Sequence, residues 1–383
     1  MNQFTAPRIL AAVAITGLSL ALTGCQDNAQ LSPQPTRSAQ ANARFGVESG
    51  TAIVSNNPKP DWGPTITPQM LAVIEENGRQ SPIPLYLLSP QEARRQPSIK
   101  DAVNGLLSFY GIFVPPAPVT IANRTVPGSG GASLRALVVT PRGLSGPLPV
   151  IVYYHGGGWV IANPDVYERS AVAMAQKTGA IVVSVEYRKG PEFKFPTAHL
   201  DAYEAYKWVR QNAATLGGNA AKVAVMGESA GGNLAVNVCM YARDNGFPMP
   251  VHQVAVYPVA NNDLNTESYI RYQNAKPLDR PLIQYFVANY FSTPADGDSP
   301  QISLTDVANL AGLPPVTIIA AEIDPLQFDG KNLFGRFVAA GVPADYRLYV
   351  GVTHEFFGTD LIVPEAGQAQ DFAAARLRQA FAR

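Results

Sequence analysis

The sequence contains little cysteine or histidine, and this scarcity excludes several classes of protein. Only two cysteines and four histidines occur in 383 residues. Two thiols cannot build a disulfide scaffold or a four-cysteine zinc site. No two histidines lie close enough in the sequence to form a local metal-binding pair. We therefore expect no metal site, and we expect no other cofactor.

The sequence also lacks an excess of charge of either sign. Lys and Arg together number 29, as do Asp and Glu, so the formal net charge is zero. A nucleic-acid partner would need a basic stripe, so none is expected. Hydrophobic residues make up 46% of the chain and charged residues 15%, which excludes a mostly disordered protein. The length fits one large α/β domain with additions.

The first 25 residues are predicted to be a targeting signal. Residues 9–22 form an uncharged, mostly apolar run that is short for a membrane span but typical of a signal peptide. The run ends in LTGC, which resembles a bacterial lipobox. That resemblance implies that residues 1–24 are removed and that Cys25 is lipidated. An ordinary signal peptide or a short membrane anchor is the alternative.

The lipobox resemblance also implies a location. A lipid on Cys25 would attach the protein to a membrane of the bacterial cell envelope, facing outside the cytoplasm. Residues 25–50 are rich in Gln, Asn, Ser, Pro and Ala, with few large apolar side chains. Such a segment buries too little surface to offset its ordering entropy, so it is predicted to be a flexible tether. The folded domain is expected over residues 51–383.

Eight short runs rich in Val, Ile and Tyr alternate with helical stretches after residue 118. Apolar runs that alternate with helices predict a mainly parallel sheet of eight strands, covered by helices on both faces. The first two runs flank a glycine-rich turn, which predicts an antiparallel hairpin rather than a nucleotide-binding loop. The runs are 119–126, 134–140, 150–154, 180–187, 222–226, 253–257, 316–321 and 346–350.

The alternation is interrupted between residues 259 and 304. With residues 51–117, this insert is predicted to form a helical cap over a pocket at the carboxyl end of the sheet, where α/β sites lie. Most of the aromatic side chains in the insert should belong to the core of the cap, and a few should face a ligand. They are Tyr269, Tyr272, Tyr285, Phe286, Tyr290 and Phe291.

A pentapeptide of the form G-x-S-x-G marks the candidate nucleophile. GESAG at residues 227–231 follows a predicted strand and opens a predicted helix. This context is the one in which a tight turn presents a serine above the sheet at the positive end of a helix. Ser229 is therefore the candidate nucleophile. A second glycine-rich segment, HGGGW at residues 155–159, follows an earlier strand.

These motifs resemble those of the bacterial hormone-sensitive-lipase-like esterases, which have the α/β-hydrolase fold. That family carries an H-G-G-G-[FW] loop and a G-[DE]-S-A-G-G turn. Three further segments match its patterns: YRKGPEFKFPT at 187–197, LPPVTIIAAEIDPL at 313–326 and GVTHEF at 351–356. The departures are Glu228 for the commoner Asp, Lys189-Gly190 for Leu-Ala, and Glu355 where Gly is usual. The likeness extends from about residue 118 to the end.

The resemblance implies an oxyanion hole for a transition state that carries negative charge. In the family, backbone N–H groups of the glycine loop and of the residue after the nucleophile bind this charge. The corresponding residues here are Gly156, Gly157, Gly158 and Ala230.

A serine hydroxyl needs a base, and the base needs an orienting acid. His354 follows the last predicted strand, and Asp324 follows the strand before it, in the chain order Ser…Asp…His of this fold. Asp329 is the rival acid, but it falls within the next predicted helix. Glu322 is expected to be a structural polar partner. His155, His199 and His252 are also expected to be structural, as is the thiol of Cys239.

Three functions fit these observations. The first is a serine carboxylesterase that acts on short acyl or aryl esters, with a small-molecule substrate. The second is an amidase of the arylformamidase type, which shares the glycine loop and the serine turn. The third is a catalytically silent binding protein of the envelope, although such proteins usually lose a member of the Ser-His-Asp triad. The sequence leaves the natural substrate and the oligomeric state open.

Overall fold

The computed structural model describes residues 47–48 and 52–383. The predicted signal peptide, Cys25 and most of the predicted tether lie outside the described residues. At the start of the described chain, β1 (Val47–Glu48) pairs with β2 (Ala52–Ile53) in an antiparallel arrangement. Within the described chain, no helix combines the length and the apolar character that crossing a membrane requires.

The remaining strands form a single eight-stranded sheet. The order across the sheet is β10-β9-β8-β7-β5-β6-β4-β3. Strand β4 pairs antiparallel with β3 and with β6, and every other neighbouring pair is parallel. The prediction of an eight-stranded, mainly parallel sheet that begins with an antiparallel hairpin is therefore confirmed. The strands are β3 (Val119–Pro127), β4 (Ser133–Pro141), β5 (Leu148–Tyr154), β6 (Ile181–Val185), β7 (Gly218–Glu228), β8 (Gln253–Val256), β9 (Val316–Ile323) and β10 (Ala344–Thr353).

Ten α-helices occur in the described chain. They are α1 (Pro68–Gln80), α2 (Pro90–Ala93), α3 (Ile99–Phe109), α4 (Glu168–Thr178), α5 (Thr197–Asn212), α6 (Ala230–Asp244), α7 (Glu267–Arg271), α8 (Arg280–Tyr290), α9 (Gln327–Ala339) and α10 (Pro364–Phe381). Helices separate the parallel strands, as the predicted alternation of apolar runs and helical stretches requires. Residues 90–109 form two helices, because Pro97 and the capping Ser98 separate α2 from α3.

The sheet divides the apolar interior into two cores because strand side chains alternate in direction. In β5, Val150 and Val152 face the core that α5, α6 and α9 cover. Ile151 and Tyr153 face the opposite core, which α1, α3, α4 and α10 cover. All four residues are fully buried. The central strands therefore read as continuous apolar runs, since both of their faces are covered.

Candidate active site

Ser229 occupies a sharp turn between β7 and α6. Its backbone has φ +56° and ψ −119°, in a region that side-chain-bearing residues rarely adopt. Its N–H donates a hydrogen bond to the carbonyl of Val256 (2.8 Å), and its carbonyl accepts one from the N–H of Asn233 in the first turn of α6 (3.2 Å). The strained conformation is thus fixed from both sides, and Ser229 is held at the N-terminus of a helix.

The two glycines of the GESAG turn allow backbone segments to approach closely. A Cβ on Gly227 would lie 2.1 Å from the carbonyl oxygen of Gly231, and a Cβ on Gly231 would lie 2.0 Å from the carbonyl oxygen of Tyr154. Real Cβ atoms do not come so close to backbone atoms. The turn can therefore form only when both positions lack a side chain, which explains the spacing of the motif.

His354 is paired with Asp324, as the sequence predicts. The Nδ1 atom of His354 lies 2.7 Å from Oδ2 of Asp324, and both side chains are buried. The other oxygen of Asp324 accepts the N–H of Leu326 (2.9 Å), which fixes the carboxylate. Burial lowers the pKa of His354, but the charge and hydrogen bond of Asp324, with smaller contributions from Glu355 and Glu228, raise this pKa above its usual value.

The rival acid has other partners. Asp329 lies within α9, and its Oδ2 accepts the backbone N–H groups of Ala260 and Asn261, both at 2.9 Å. Burial raises the pKa of Asp329 well above its usual value. Glu322 accepts the N–H of Gly351 (2.7 Å) and so connects the ends of β9 and β10, in keeping with the predicted structural role. The acid next to His354 is therefore Asp324.

The glycine loop after β5 lies beside the serine. Gly157 (φ +96°) and Gly158 (φ +58°) line the same cavity as Ser229 and His354. In the described structure the N–H groups of these two glycines donate to no protein acceptor, so they are free to bind a ligand. Ala230 directly follows Ser229 and is the first residue of α6, so its N–H belongs to the unpaired helix start.

Gly156 has a different environment from the two glycines that follow it. It is not among the residues that line the cavity. Its carbonyl accepts hydrogen bonds from the ring of His155 (2.7 Å) and from the hydroxyl of Tyr187 (3.3 Å). His155 stacks on Tyr187 with the ring centroids 4.2 Å apart. Gly156 and His155 thus hold the loop in place, while Gly157 and Gly158 face the cavity.

The remaining histidines and the thiol lie in the interior. His199 contacts Tyr290 Oη (3.0 Å) and Asn233 Oδ1 (2.9 Å), and His252 contacts Thr317 Oγ1 (2.9 Å). Burial lowers the pKa of both imidazoles to about 4. Cys239 is fully buried. The predicted structural roles of these side chains agree with their environments.

A cavity of about 600 Å³ opens above Ser229 and His354. This volume lies within the range of small-molecule sites. Its walls come from both segments that the sequence assigns to a cap, including Ile74 and Ile99 on one side and Phe286 on the other. Of the six aromatic residues predicted for the insert, Tyr269, Phe286 and Phe291 line the cavity.

Most of the charged side chains that line this cavity are neutralised in pairs. The basic groups lie within salt-bridge distance of carboxylates, in the pairs Arg94–Glu192, Lys100–Glu168, Arg169–Asp360 and Lys276–Asp279. Within the described chain, the carboxylates that line the cavity outside these pairs are Glu228 and Glu355, beside the serine and the imidazole. Among the described residues, no group of three or more His, Cys, Asp or Glu side chains is placed to hold a metal ion.

A buried polar layer next to the triad was not predicted from the sequence. Glu228 precedes Ser229, and its carboxylate accepts hydrogen bonds from the hydroxyls of Tyr153 and Tyr257. Glu355 follows His354 and accepts a hydrogen bond from the hydroxyl of Tyr167. Burial, together with the nearby charge of Glu355, raises the pKa of Glu228 to about 7. The signal for this layer was the pair of departures from the family motifs, at positions 228 and 355.

Comparison with known proteins identifies the family. A family model described as the alpha/beta hydrolase fold matches residues 151–358, which is more than half of the chain. The chain belongs to the α/β-hydrolase family. The matched region includes the glycine loop, Ser229, Asp324 and His354.

Several relatives of this hydrolase cover most of its described length. A carboxylesterase of Mycobacterium tuberculosis, NlhH, is 38% identical over 263 residues, covering 68% of this chain and 82% of that protein. An ethyl acetate hydrolase of Pseudomonas putida is 29% identical over 82% of this chain and 99% of its own length. The solved structure of an esterase from Pyrobaculum calidifontis superimposes with a TM-score of 0.70 at 37% identity, covering 76% of this chain and 94% of that one.

Proposed function

We propose that this hydrolase is a serine carboxylesterase that cleaves short-chain acyl or aryl esters through an acyl-enzyme intermediate. The observation that carries the proposal is the convergence of three groups on one cavity. Ser229 is held in a strained turn, His354 is paired with Asp324, and both Ser229 and His354 line the cavity. The relatives named carboxylesterase and ethyl acetate hydrolase support the same reaction.

The first chemical step is the attack of Ser229 Oγ on the ester carbonyl. His354 accepts the hydroxyl proton as this bond forms and then gives it to the departing alcohol. Asp324 accepts a hydrogen bond from Nδ1 of His354, so the other ring nitrogen, Nε2, is the one that exchanges protons. The buried carboxylate also stabilises the imidazolium that forms during the step.

The second requirement is a site for the negative charge on the carbonyl oxygen. The N–H groups of Gly157 and Gly158, together with that of Ala230, are the proposed donors. They belong to backbone that is fixed before the substrate binds, so no reorganisation is needed when the charge develops. Water then attacks the acyl-enzyme with His354 as base, which releases the acid and restores Ser229.

The shape of the cavity favours small substrates. Its volume of about 600 Å³ and its cover of helices suit a soluble ester better than an emulsified fat. Phe286 lies directly against the oxyanion loop: a Cβ on Gly158 would lie 2.2 Å from its ring. The space next to the reacting carbonyl is therefore narrow, which is consistent with a short acyl group.

Paired assays on the mature protein would test this function. We expect rapid hydrolysis of p-nitrophenyl butyrate and slow hydrolysis of N-formylkynurenine, whereas the reverse order would identify an arylformamidase. Ser229→Ala should lower ester turnover by about 10⁵–10⁶-fold. A fluorophosphonate probe should label the wild type and leave Ser229→Ala unlabelled. An unlabelled wild type without turnover would indicate a silent binding protein.

We also propose a location for this activity. The lipobox resemblance of residues 22–25 supports a lipid anchor on Cys25, and the polar segment that follows would hold the enzyme near a membrane of the cell envelope. The substrate would then be an ester that reaches the outside of the cytoplasm.

A further inference from the structure

We infer that Glu355 and Tyr167 are positioning residues, which together connect the loop of the catalytic base to the oxyanion loop. The inference rests on the proposed function, since it concerns the geometry of ester cleavage. Neither residue is a member of the triad or of the proposed set of oxyanion donors.

The first observation is the contact between the two side chains. The hydroxyl of Tyr167 donates a hydrogen bond to the carboxylate of Glu355, across 188 residues of sequence. Tyr167 is buried just before helix α4. Glu355 directly follows His354, so its position is tied to that of the imidazole by one peptide unit.

The second observation places the same phenol against the oxyanion loop. A Cβ built on Gly156 would lie 2.3 Å from Oη of Tyr167 and 3.0 Å from Cζ. The hydroxyl therefore packs directly on the backbone of the loop, one residue before Gly157. One phenolic oxygen thus touches both the loop that holds the catalytic base and the loop that offers the oxyanion donors.

The third observation is that Glu355 occupies a conformation that favours glycine. Its φ is +68°, in the left-handed region. Glycine is usual at this position in the family that the sequence resembles, and it would relieve the strain. A side chain placed there needs a compensating interaction, and the hydrogen bond from Tyr167 supplies one.

The fourth observation separates Glu355 from the other charges of the cavity. The basic side chains that line the cavity are paired with other carboxylates. In the described chain, the side chain of Glu355 has Tyr167 as its one hydrogen-bond partner. The carboxylate of Glu355 therefore takes no part in these ion pairs. It accepts a hydrogen bond from Tyr167, whose hydroxyl packs against Gly156.

A double-mutant cycle tests the connection. Tyr167→Phe removes one oxygen, and Glu355→Ala removes the acceptor while keeping a Cβ at the strained position. Each should lower kcat by about tenfold and leave KM within about twofold, because a small displacement of the reacting groups affects the transition state more than substrate binding. The double variant should be no slower than the slower single variant, since either change alone breaks the link.

Two controls distinguish positioning from a general loss of packing. Tyr187→Phe removes a buried phenol that holds the same loop through the carbonyls of His155 and Gly156, so its effect should multiply with that of Glu355→Ala. Tyr206→Phe removes a buried phenol whose hydroxyl donates to Pro248, and it should leave kcat unchanged. Glu355→Gln keeps an acceptor for Tyr167 and should recover most of the kcat that Glu355→Ala loses.

The pH profile provides a readout that packing alone would not move. His354 has Asp324, Glu228 and Glu355 as its charged neighbours, and Glu355 helps to raise the pKa of the imidazole. Glu355→Gln should therefore move the acid limb of kcat/KM to lower pH, because the neutral base persists further into the acid range. Glu355 also raises the pKa of Glu228, so the shift is measured in the Glu228→Gln background as well, where position 228 cannot titrate and the change reports Glu355.

The outcomes separate the inference from the function on which it rests. Turnover of p-nitrophenyl butyrate by the wild type tests the function, and the ratios between variants test the inference. Multiplicative losses in Tyr167→Phe/Glu355→Ala, losses confined to KM, or an unchanged kcat in Tyr167→Phe would each overturn it. If the wild type is active and Glu355→Gln loses as much kcat as Glu355→Ala, the inference is also contradicted.

Discussion

Asp324 directly follows β9 and Asp329 lies five residues on, in the first turn of α9, yet the two carboxylates hold different parts of the site. Asp324 Oδ2 lies 2.7 Å from Nδ1 of His354. Asp329 Oδ2 instead accepts the N–H groups of Ala260 and Asn261, where the segment between β8 and β9 begins. One carboxylate is therefore placed to orient the proposed base, and the other binds the start of the segment that covers the cavity.

This difference predicts opposite results for two matched substitutions. Asp324→Asn should keep the fold and lower kcat by about 10⁴-fold, because an amide cannot hold the imidazole in the required tautomer. Asp329→Asn should keep most of the activity, since an amide oxygen can still accept both backbone N–H groups. Steady-state kinetics and thermal unfolding of both variants would check this. A folded Asp329→Asn protein slower than Asp324→Asn would mean that the acid is wrongly assigned.

Phe286 should control the length of the acyl chain. Its ring lies against Gly158 and lines the cavity, so it limits the space next to the reacting carbonyl. Phe286→Ala should raise kcat/KM for p-nitrophenyl octanoate relative to the butyrate ester by about tenfold. Gln284 is exposed on the same helix, so Gln284→Ala is the control and should leave this ratio unchanged. An unchanged ratio in Phe286→Ala would place the acyl chain elsewhere.

Gly158 should matter for the transition state more than for binding. A side chain here would meet the ring of Phe286, and the positive φ of +58° disfavours any residue with a Cβ. Gly158→Val should lower kcat by about 10²–10³-fold, because a displaced N–H no longer stabilises the oxyanion. We expect a much smaller change in KM. A loss seen only in KM would indicate a substrate-binding loop instead.

The sheet and the placement of Ser229, Asp324 and His354 at one site could be predicted because local sequence patterns indicate them. Strands buried on both faces read as short apolar runs, and all eight were found. Ser229 could be located because the GESAG turn admits only small residues at Gly227 and Gly231. His354 and Asp324 follow from the order of elements along the chain.

The order of strands across the sheet and the polar layer beside the triad were not predictable in this way. The contact between Tyr167 and Glu355 joins residues 188 positions apart, and no periodicity records such a pair. The same holds for Phe286 against Gly158, which depends on how the insert folds back over the loop. The departure from the family motif at Glu355 indicated that this position makes an unusual contact. It did not indicate which residue is the partner.

The contribution of Glu228 to the stability of the protein should fall as the pH rises towards 7, whereas the lowered pKa values of His199 and His252 act in the opposite direction. Burial raises the pKa of Glu228 to about 7, from 4.5 for an ordinary Glu. Between these values the folded protein holds a proton that the unfolded chain has released. The contribution of Glu228 to the free energy of unfolding should therefore decrease with rising pH, by at most about 1.4 kcal/mol per pH unit.

Urea unfolding at several pH values between 4.5 and 8 would measure this effect. Glu228→Gln cannot titrate, so the slope of its free energy of unfolding against pH should be more positive than that of the wild type across this range. Glu267→Gln changes an exposed carboxylate and should keep the slope of the wild type. Equal slopes for wild type and Glu228→Gln would show that Glu228 stays ionised in the fold.

The proposed lipid on Cys25 should be the attachment point of the enzyme to the membrane. Cys25→Ser should then accumulate as an unlipidated precursor, held through its apolar segment. Deletion of residues 1–25 should give a soluble enzyme with unchanged kcat, because the triad and the proposed oxyanion donors all lie beyond residue 155. The polar segment that follows Cys25 should be the first site of limited proteolysis.

Detergent phase partitioning of the three forms, with esterase activity followed in each phase, would measure the anchoring. Wild-type activity in the aqueous phase, with no lipid mass on the N-terminal peptide, would contradict the anchor and indicate an ordinary secreted hydrolase with the same active site.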